Sequence, residues 1–245
     1  MLERRRHAEG VLQLHLARPG RLNALTLALA RDLLQAVHHA HEDASVRAIL
    51  LTGEGRAFCA GKDKDDPPTP AFVDVLQHLA RVLMDSRKPV AAAVQGWAVG
   101  AGLEVLLNCD IVVAADDARF MLPETNIGLF GTGGVVALLP RTVGLARAKG
   151  MLMLGEAVSA REAEQWGLIW QVVPRAELEQ RGIAIATRLA AAEPTLLSQL
   201  KSSLHEEAVG DMGAILKREA QAHHALDQAS APARSPSVNA SSKTE

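Results

Sequence analysis

The chain has 245 residues, 48% of them apolar, and a formal net charge of −2. Such a chain supports one large domain, or a domain with a small appendage, around a sizeable core. It excludes a nucleic-acid footprint, which would show as a basic stripe, and with no Tyr and only 3% aromatic residues it excludes a stacking platform for bases. Cys59 and Cys109 have no paired spacing, which suits a reducing compartment and neither disulfides nor a metal knuckle. MLERRRHAEG lacks the apolar core of a signal peptide, and no apolar stretch approaches the roughly 20 residues that span a bilayer. The expectation is a soluble, cytoplasmic protein without a nucleic-acid or membrane partner. Arg4, Arg5 and Arg6 read as a solvated end.

In chain order, Leu12, Leu14 and Leu16 alternate with Val11, Gln13 and His15 and predict a strand, ended by Pro19 and Gly20. Thr26 is placed to cap a helix whose apolar positions, Leu27, Ala30, Leu33, Leu34 and Val37, recur every three or four residues. Residues 46–52 form a buried strand that runs into GRAFCAGKD, a turn built of small residues. Pro67, Pro68 and Pro70 mark an irregular loop before an amphipathic helix over 71–84. Residues 89–94 form another buried strand, followed by a glycine elbow, a helix from about Ala101 and a strand over 111–115. This alternation predicts an α/β core of parallel strands with covering helices. Helical patterns then dominate, at 145–154, 161–166, 178–192, 195–209 and 212–226. The expected organisation is an α/β core over 1–140, a helical oligomerisation or lid region over 141–228, and a disordered Ser/Ala/Pro tail over 229–245.

Three places carry potential chemistry. At Gly100, Ala101 and Gly102 another molecule can approach the backbone, and the first amides of the following helix lack intrahelical partners. Two readings are open there: tight packing of strand against helix, or a site for a developing oxyanion. AFCAGKD, with Ala60 and Gly61, has the same character and leaves the Lys62 amide in a turn. Two such amides on one carbonyl oxygen would make an oxyanion hole, each worth about 3–4 kcal/mol in a transition state. Glu104 lies among Leu103, Val105, Leu106 and Leu107, and Glu124 directly follows Pro123. Each carboxyl has a structural alternative, helix-dipole complementation for Glu104 and a surface turn for Glu124. Together in apolar surroundings they would make an acid–base pair. GLFGTGGV lacks the lysine of a P-loop, and GWAVGAG matches a dinucleotide fingerprint only loosely. His38, His39, His41, His223 and His224 read as solvated helix faces without a metal-ligand set.

RPGRLNALT, GRAFCAGKD, KPVAAAVQGWAVGAGLEVLLNCDIVVAADDARFMLPETNIGL and AREAEQWGLIWQVV, in this order from about residue 10 to 220, resemble the crotonase superfamily, the enoyl-CoA hydratase/isomerase family. The resemblance implies a spiral of ββα repeats with a helical C-terminal region that drives homotrimers, often paired into hexamers. It implies an acyl-CoA thioester substrate, with coenzyme A as part of the substrate and no further cofactor or metal. The oxyanion amides would be those of Lys62 and Ala101, and the hydratase glutamates Glu104 and Glu124. CoA would lie along the loops carrying Arg21, Leu22, Ala24, Ala60, Gly61, Asp63 and Lys64, with Gly100 beside the substrate. On charge alone, the Lys62 and Lys64 side chains would offset phosphate.

The implied reaction is addition of water to a trans-2-enoyl-CoA. A Δ3,Δ2-enoyl-CoA isomerase working on Glu124 and a non-catalytic acyl-CoA-binding protein are the alternatives. Thr132 stands where the dehalogenase and dienoyl isomerase branches place an aspartate, which argues against both. Phe130-Gly131 replaces the family's usual Pro-Gly, and a Ser/Pro tail stands where members usually carry a further basic helix.

Overall fold

The computed structural model describes residues 1–66 and 69–230. Strand β1 (Leu2–Arg6) pairs antiparallel with β2 (Val11–Leu16). Helix α1 (Leu27–Glu42) follows, its N-terminus capped by the Thr26 hydroxyl accepting from Leu29 N at 3.1 Å. Then come β3 (Ala48–Gly53), β4 (Ala57–Cys59) and α2 (Pro70–Asp85). The same pattern repeats in β5 (Val90–Val94), β6 (Trp97–Val99) and α3 (Ala101–Leu106). It repeats again in β7 (Ile111–Ala115), β8 (Arg119–Met121), a 3-10 turn over Glu124–Ile127 and α4 (Val135–Val143). Each ββα unit gives its first strand to a six-stranded sheet, ordered β1-β2-β3-β5-β7-β10, and its second to a four-stranded sheet, ordered β4-β6-β8-β9. The remaining elements are α5 (Leu145–Leu154), β9 (Val158–Ser159), α6 (Ala160–Gln165), β10 (Gln171–Val173), α7 (Leu178–Ala191), α8 (Pro194–Ala208) and α9 (Met212–Ser230).

Strands β3, β5 and β7 of the large sheet are buried on both faces, which is why they read as apolar runs and not as alternations. Leu14, Ile49, Leu51, Ala92 and Val94 face α1 and α2 in the main core. Val11, Leu50, Ala91, Ala93 and Val113 face α7. Helix α7 comes in close because Gly182 meets Ala93, where an added methyl would stand 2.8 Å from the alanine Cβ.

Several expectations change. The basic run is not a free end: it lies in β1, with ion pairs Arg4–Asp32, Arg5–Glu3 and Arg6–Asp43. Pro70 opens α2, where its missing N–H costs nothing; Pro67 and Pro68 lie outside the described residues. Helix α4 emerges directly from GLFGTGGV, where only a turn was legible. Helix α9 continues to Ser230, two residues into the expected tail, and positions 231–245 lie outside the described residues. Among the described residues no helix is long and apolar enough to cross a membrane, and Cys59 and Cys109 are free thiols.

Candidate active site

The β3–β4–α2 and β5–β6–α3 units bring two turns together. At the end of β6, Gly100 adopts φ 51° and ψ −123° and α3 begins at Ala101. The backbone at this φ favours glycine, and a Cβ there would stand 2.7 Å from Glu124 Oε1 and push that carboxyl aside. After β4, Gly61 has φ +89°; a Cβ on it would lie 2.8 Å from Val99 O and 3.7 Å from the Ala101 nitrogen. The two turns therefore touch through backbone.

Hydrogen bonding aims their amides. Leu25 N donates to Gly61 O at 2.7 Å and Asp63 N donates to Leu25 O at 2.8 Å. In this parallel bridge the residues flanking Lys62 take the bonds, which turns the Lys62 N–H away from Leu25. Ala101 is the first residue of α3, so its N–H has no intrahelical acceptor. Among the described residues neither amide donates to a protein acceptor. Both Lys62 and Ala101 line a cavity of about 490 Å³ together with Ala60, Gly61, Gly100, Glu104 and Glu124. Phe72, Val73, Leu76, Leu129 and Phe130 form its apolar wall.

Glu104 is buried in the first turn of α3. Its Oε1 accepts the Thr132 backbone N–H at 2.7 Å. Burial pushes its pKa well above the carboxylate range; the charges of Glu124 and Glu219 push the same way, and the Thr132 N–H opposes them. Glu124 opens the 3-10 turn after Pro123. Burial raises its pKa as well, and its Oε2 is buried without a hydrogen-bond partner among the described residues. The cavity therefore holds two carboxyls that resist ionisation beside two unpaired N–H groups. Burial pushes the Cys59 thiol up to about 12, so this buried neighbour of the site is unreactive.

The remaining residues expected at the site stand on loops beside the cavity and do not line it. Asp63, 3% exposed, accepts from Arg18 Nη2 at 2.9 Å and from the Asp65 amide at 3.0 Å, and so ties the two loops together. Arg21 pairs with Asp65 and reaches Asp63 at 3.4 Å. Leu22 sits at φ 50°, its carbonyl accepting from Ala60 N at 3.0 Å, and Ala24 is buried with its carbonyl bound by Arg18. Lys64 is exposed. The Lys62 Nζ donates to the carbonyls of Asp63 and Asp66, at 3.2 and 2.5 Å, and lies 5.4 Å from the Phe72 ring centroid. It is turned back into its own loop and not out toward a phosphate.

Three contributors were not legible. The Thr132 amide is a main-chain donor that no side-chain pattern signals. Glu219 is 1% exposed, inside a helix that reads as ordinarily amphipathic. His223 is not on a solvated face: it lines the cavity, with Nδ1 3.1 Å from Phe130 O, because α9 packs back across the mouth of its own core against α2.

The Enoyl-CoA hydratase/isomerase family model matches residues 6–236. A probable enoyl-CoA hydratase of Rhodobacter capsulatus is 37% identical over 227 residues, covering 90% of this chain and 88% of the relative. The 1,2-epoxyphenylacetyl-CoA isomerase of Escherichia coli is 39% identical over 211 residues, covering 81% of this chain and 80% of the relative. A crystal structure of an enoyl-CoA hydratase from Mycobacterium avium subsp. paratuberculosis superposes with a TM-score of 0.87 at 31% identity, covering 96% of this chain and 94% of that one. The fold is that of the crotonases, and the family is one of enzymes acting on acyl-CoA thioesters. This chain belongs to the enoyl-CoA hydratase/isomerase family.

Proposed function

We propose that the protein is an enoyl-CoA hydratase that adds water to a trans-2-enoyl-CoA to give a 3-hydroxyacyl-CoA. The observation that carries this reading is the pairing, in one cavity, of a buried and a half-buried carboxyl, both with raised pKa values, and two backbone amides without acceptors. The amides of Lys62 and Ala101 bind the thioester oxygen. Water oxygen bonds to C3, the C2–C3 π pair shifts through C2 toward the thioester oxygen, and the amides stabilise the charge that develops there. One carboxyl of the Glu104/Glu124 pair takes a proton from the water and the other gives one to C2, so that H and OH are added across the double bond. Mutual repulsion and burial work against a doubly ionised pair, and the exchange requires a pair that carries a single proton.

No cofactor is invoked, since coenzyme A arrives with the substrate. The exposed Leu145, Met153 and Leu154 of α5, next to exposed Ile127, support a homotrimer or a hexamer. The free thiols support a cytoplasmic location.

The test is loss of the conjugated enoyl-thioester absorbance on mixing with crotonyl-CoA, with Glu124→Gln run beside the wild type. Rapid loss that disappears in the variant supports the hydratase. No loss with crotonyl-CoA or a longer enoyl-CoA sinks it.

One observation favours a second reading. The unpartnered Oε2 of Glu124 can shuttle a proton by itself, as a Δ3,Δ2-enoyl-CoA isomerase needs. Glu104→Gln separates the two: it abolishes hydration and leaves isomerisation.

A further inference from the structure

Helix α9 reaches the reacting groups by a polar route. Glu219 is almost wholly buried on it, and both carboxylate oxygens are used: Oε2 accepts from Gly134 N at 2.7 Å and Oε1 from Val136 N at 3.1 Å. These are orphan donors at the start of α4 that no local side chain caps. The turn just before them, residues 131–134, carries the Thr132 N–H that binds Glu104 Oε1. Its other side is clamped by Asn108, whose Nδ2 donates to Gly133 O and to Glu104 O, both at 2.8 Å. The turn is mostly glycine and has no bulk of its own to hold it. Its place is set by Asn108, just beyond the end of α3, and by Glu219 from α9.

We propose that Glu219 is a positioning residue for the hydration step: through the Gly134–Thr132 turn, the C-terminal helix places the Glu104 carboxyl. The proposal rests on the hydratase reading of the site. Glu219 does not line the cavity, and it acts through Glu104. The charge of Glu219 also helps to keep the Glu104 carboxyl above its ordinary range.

Glu219→Gln tests this with little change of shape. Its amide keeps one acceptor oxygen and turns an NH2 group toward the second N–H. The expected result is a fall in kcat for crotonyl-CoA hydration of up to about 100-fold, the size of effect a misplaced catalytic group produces. KM, and butyryl-CoA affinity by calorimetry, stay unchanged because the gripping amides stand on other turns. In a Glu104→Asp background, where the shortened side chain has already lost Thr132, Glu219→Gln adds little. Ile215→Ala, a core change on the same helix, lowers thermal stability without that loss of kcat. Glu219→Asp, which shortens the reach and keeps the charge, is the second variant should the glutamine protein not fold, and the same loss is expected. The proposal is overturned if the Glu219 variants keep wild-type kcat, if their losses multiply with that of Glu104→Asp, or if Ile215→Ala loses kcat equally. A wild type that binds butyryl-CoA and hydrates nothing removes the hydratase reading and this role with it. An active wild type beside unaffected Glu219 variants removes this role alone.

Discussion

Thr132 gives its backbone N–H to Glu104 Oε1 at 2.7 Å, while its own hydroxyl is buried without a hydrogen-bond partner among the described residues. The residue serves the site through its main chain, and an unpaired buried hydroxyl costs about 1–3 kcal/mol. Thr132→Val keeps the amide and removes the orphan. Urea unfolding should show a variant as stable as the wild type, or about 1 kcal/mol more stable, with crotonyl-CoA hydration preserved. A large loss of kcat at full stability would mean that the hydroxyl itself meets the reacting water.

The relation between Gly100 and Glu124 makes a second prediction. A methyl at Gly100 would sit 2.7 Å from Glu124 Oε1 on a backbone at φ 51°. Strain of this kind costs on the order of 1–3 kcal/mol, and the carboxyl must shift as well. Gly100→Ala should therefore fold with a lowered melting temperature and lose on the order of 100-fold in kcat/KM. A variant with wild-type kinetics would show that neither the elbow nor this placement of Glu124 matters to turnover.

Lys62 separates side chain from main chain. Its Nζ is bound to the carbonyls of Asp63 and Asp66, whereas its backbone N–H has no protein acceptor among the described residues, and the residue lines the cavity. Loss of an oxyanion donor costs roughly 100- to 1,000-fold in kcat. Lys62→Ala retains the amide, so steady-state kinetics should show kcat within about tenfold of wild type, with the loop loosened. A fall into the oxyanion-donor range would place the ammonium group in the chemistry.

Much of this was legible in the sequence, for identifiable reasons. The buried strands carry long apolar runs, and Glu104 and Glu124 announce themselves by standing in apolar surroundings behind Gly100–Gly102 and Pro123. The strands of the small sheet were not legible, because two or three residues, as in Trp97–Val99 or Arg119–Met121, are too short to display a period of two. Helix α4 was hidden by the glycines before it and by Pro140 inside it. His223 and Glu219 sit in a helix rich in charged and polar residues, and only tertiary packing reveals that one lines the cavity and the other caps α4.

The raised pKa of Glu104 sets a stability prediction whose sign is fixed by linkage. The cause is burial first, then repulsion from Glu124. The folded protein thus holds this proton more tightly than the unfolded chain, whose glutamate titrates near 4.5. The resulting stability is fully present below that value and is lost as pH rises through the folded pKa. Glutamine does not titrate, and its Oε1 can still accept the Thr132 N–H. Glu104→Gln should therefore match the wild type in urea unfolding near pH 5 and exceed it near pH 8, while hydration is lost at both. Burial likewise raises Glu219, to about 7, which gives the wild type a second, separate decline over part of the same range that remains in Glu104→Gln. The difference between the two proteins at each pH reports Glu104 together with its coupling to Glu124 and Glu219. A Glu104→Gln protein less stable than wild type near pH 8 would mean that the Glu104 carboxylate is ionised there and held by its surroundings, and the proton of the pair would have to be placed on Glu124.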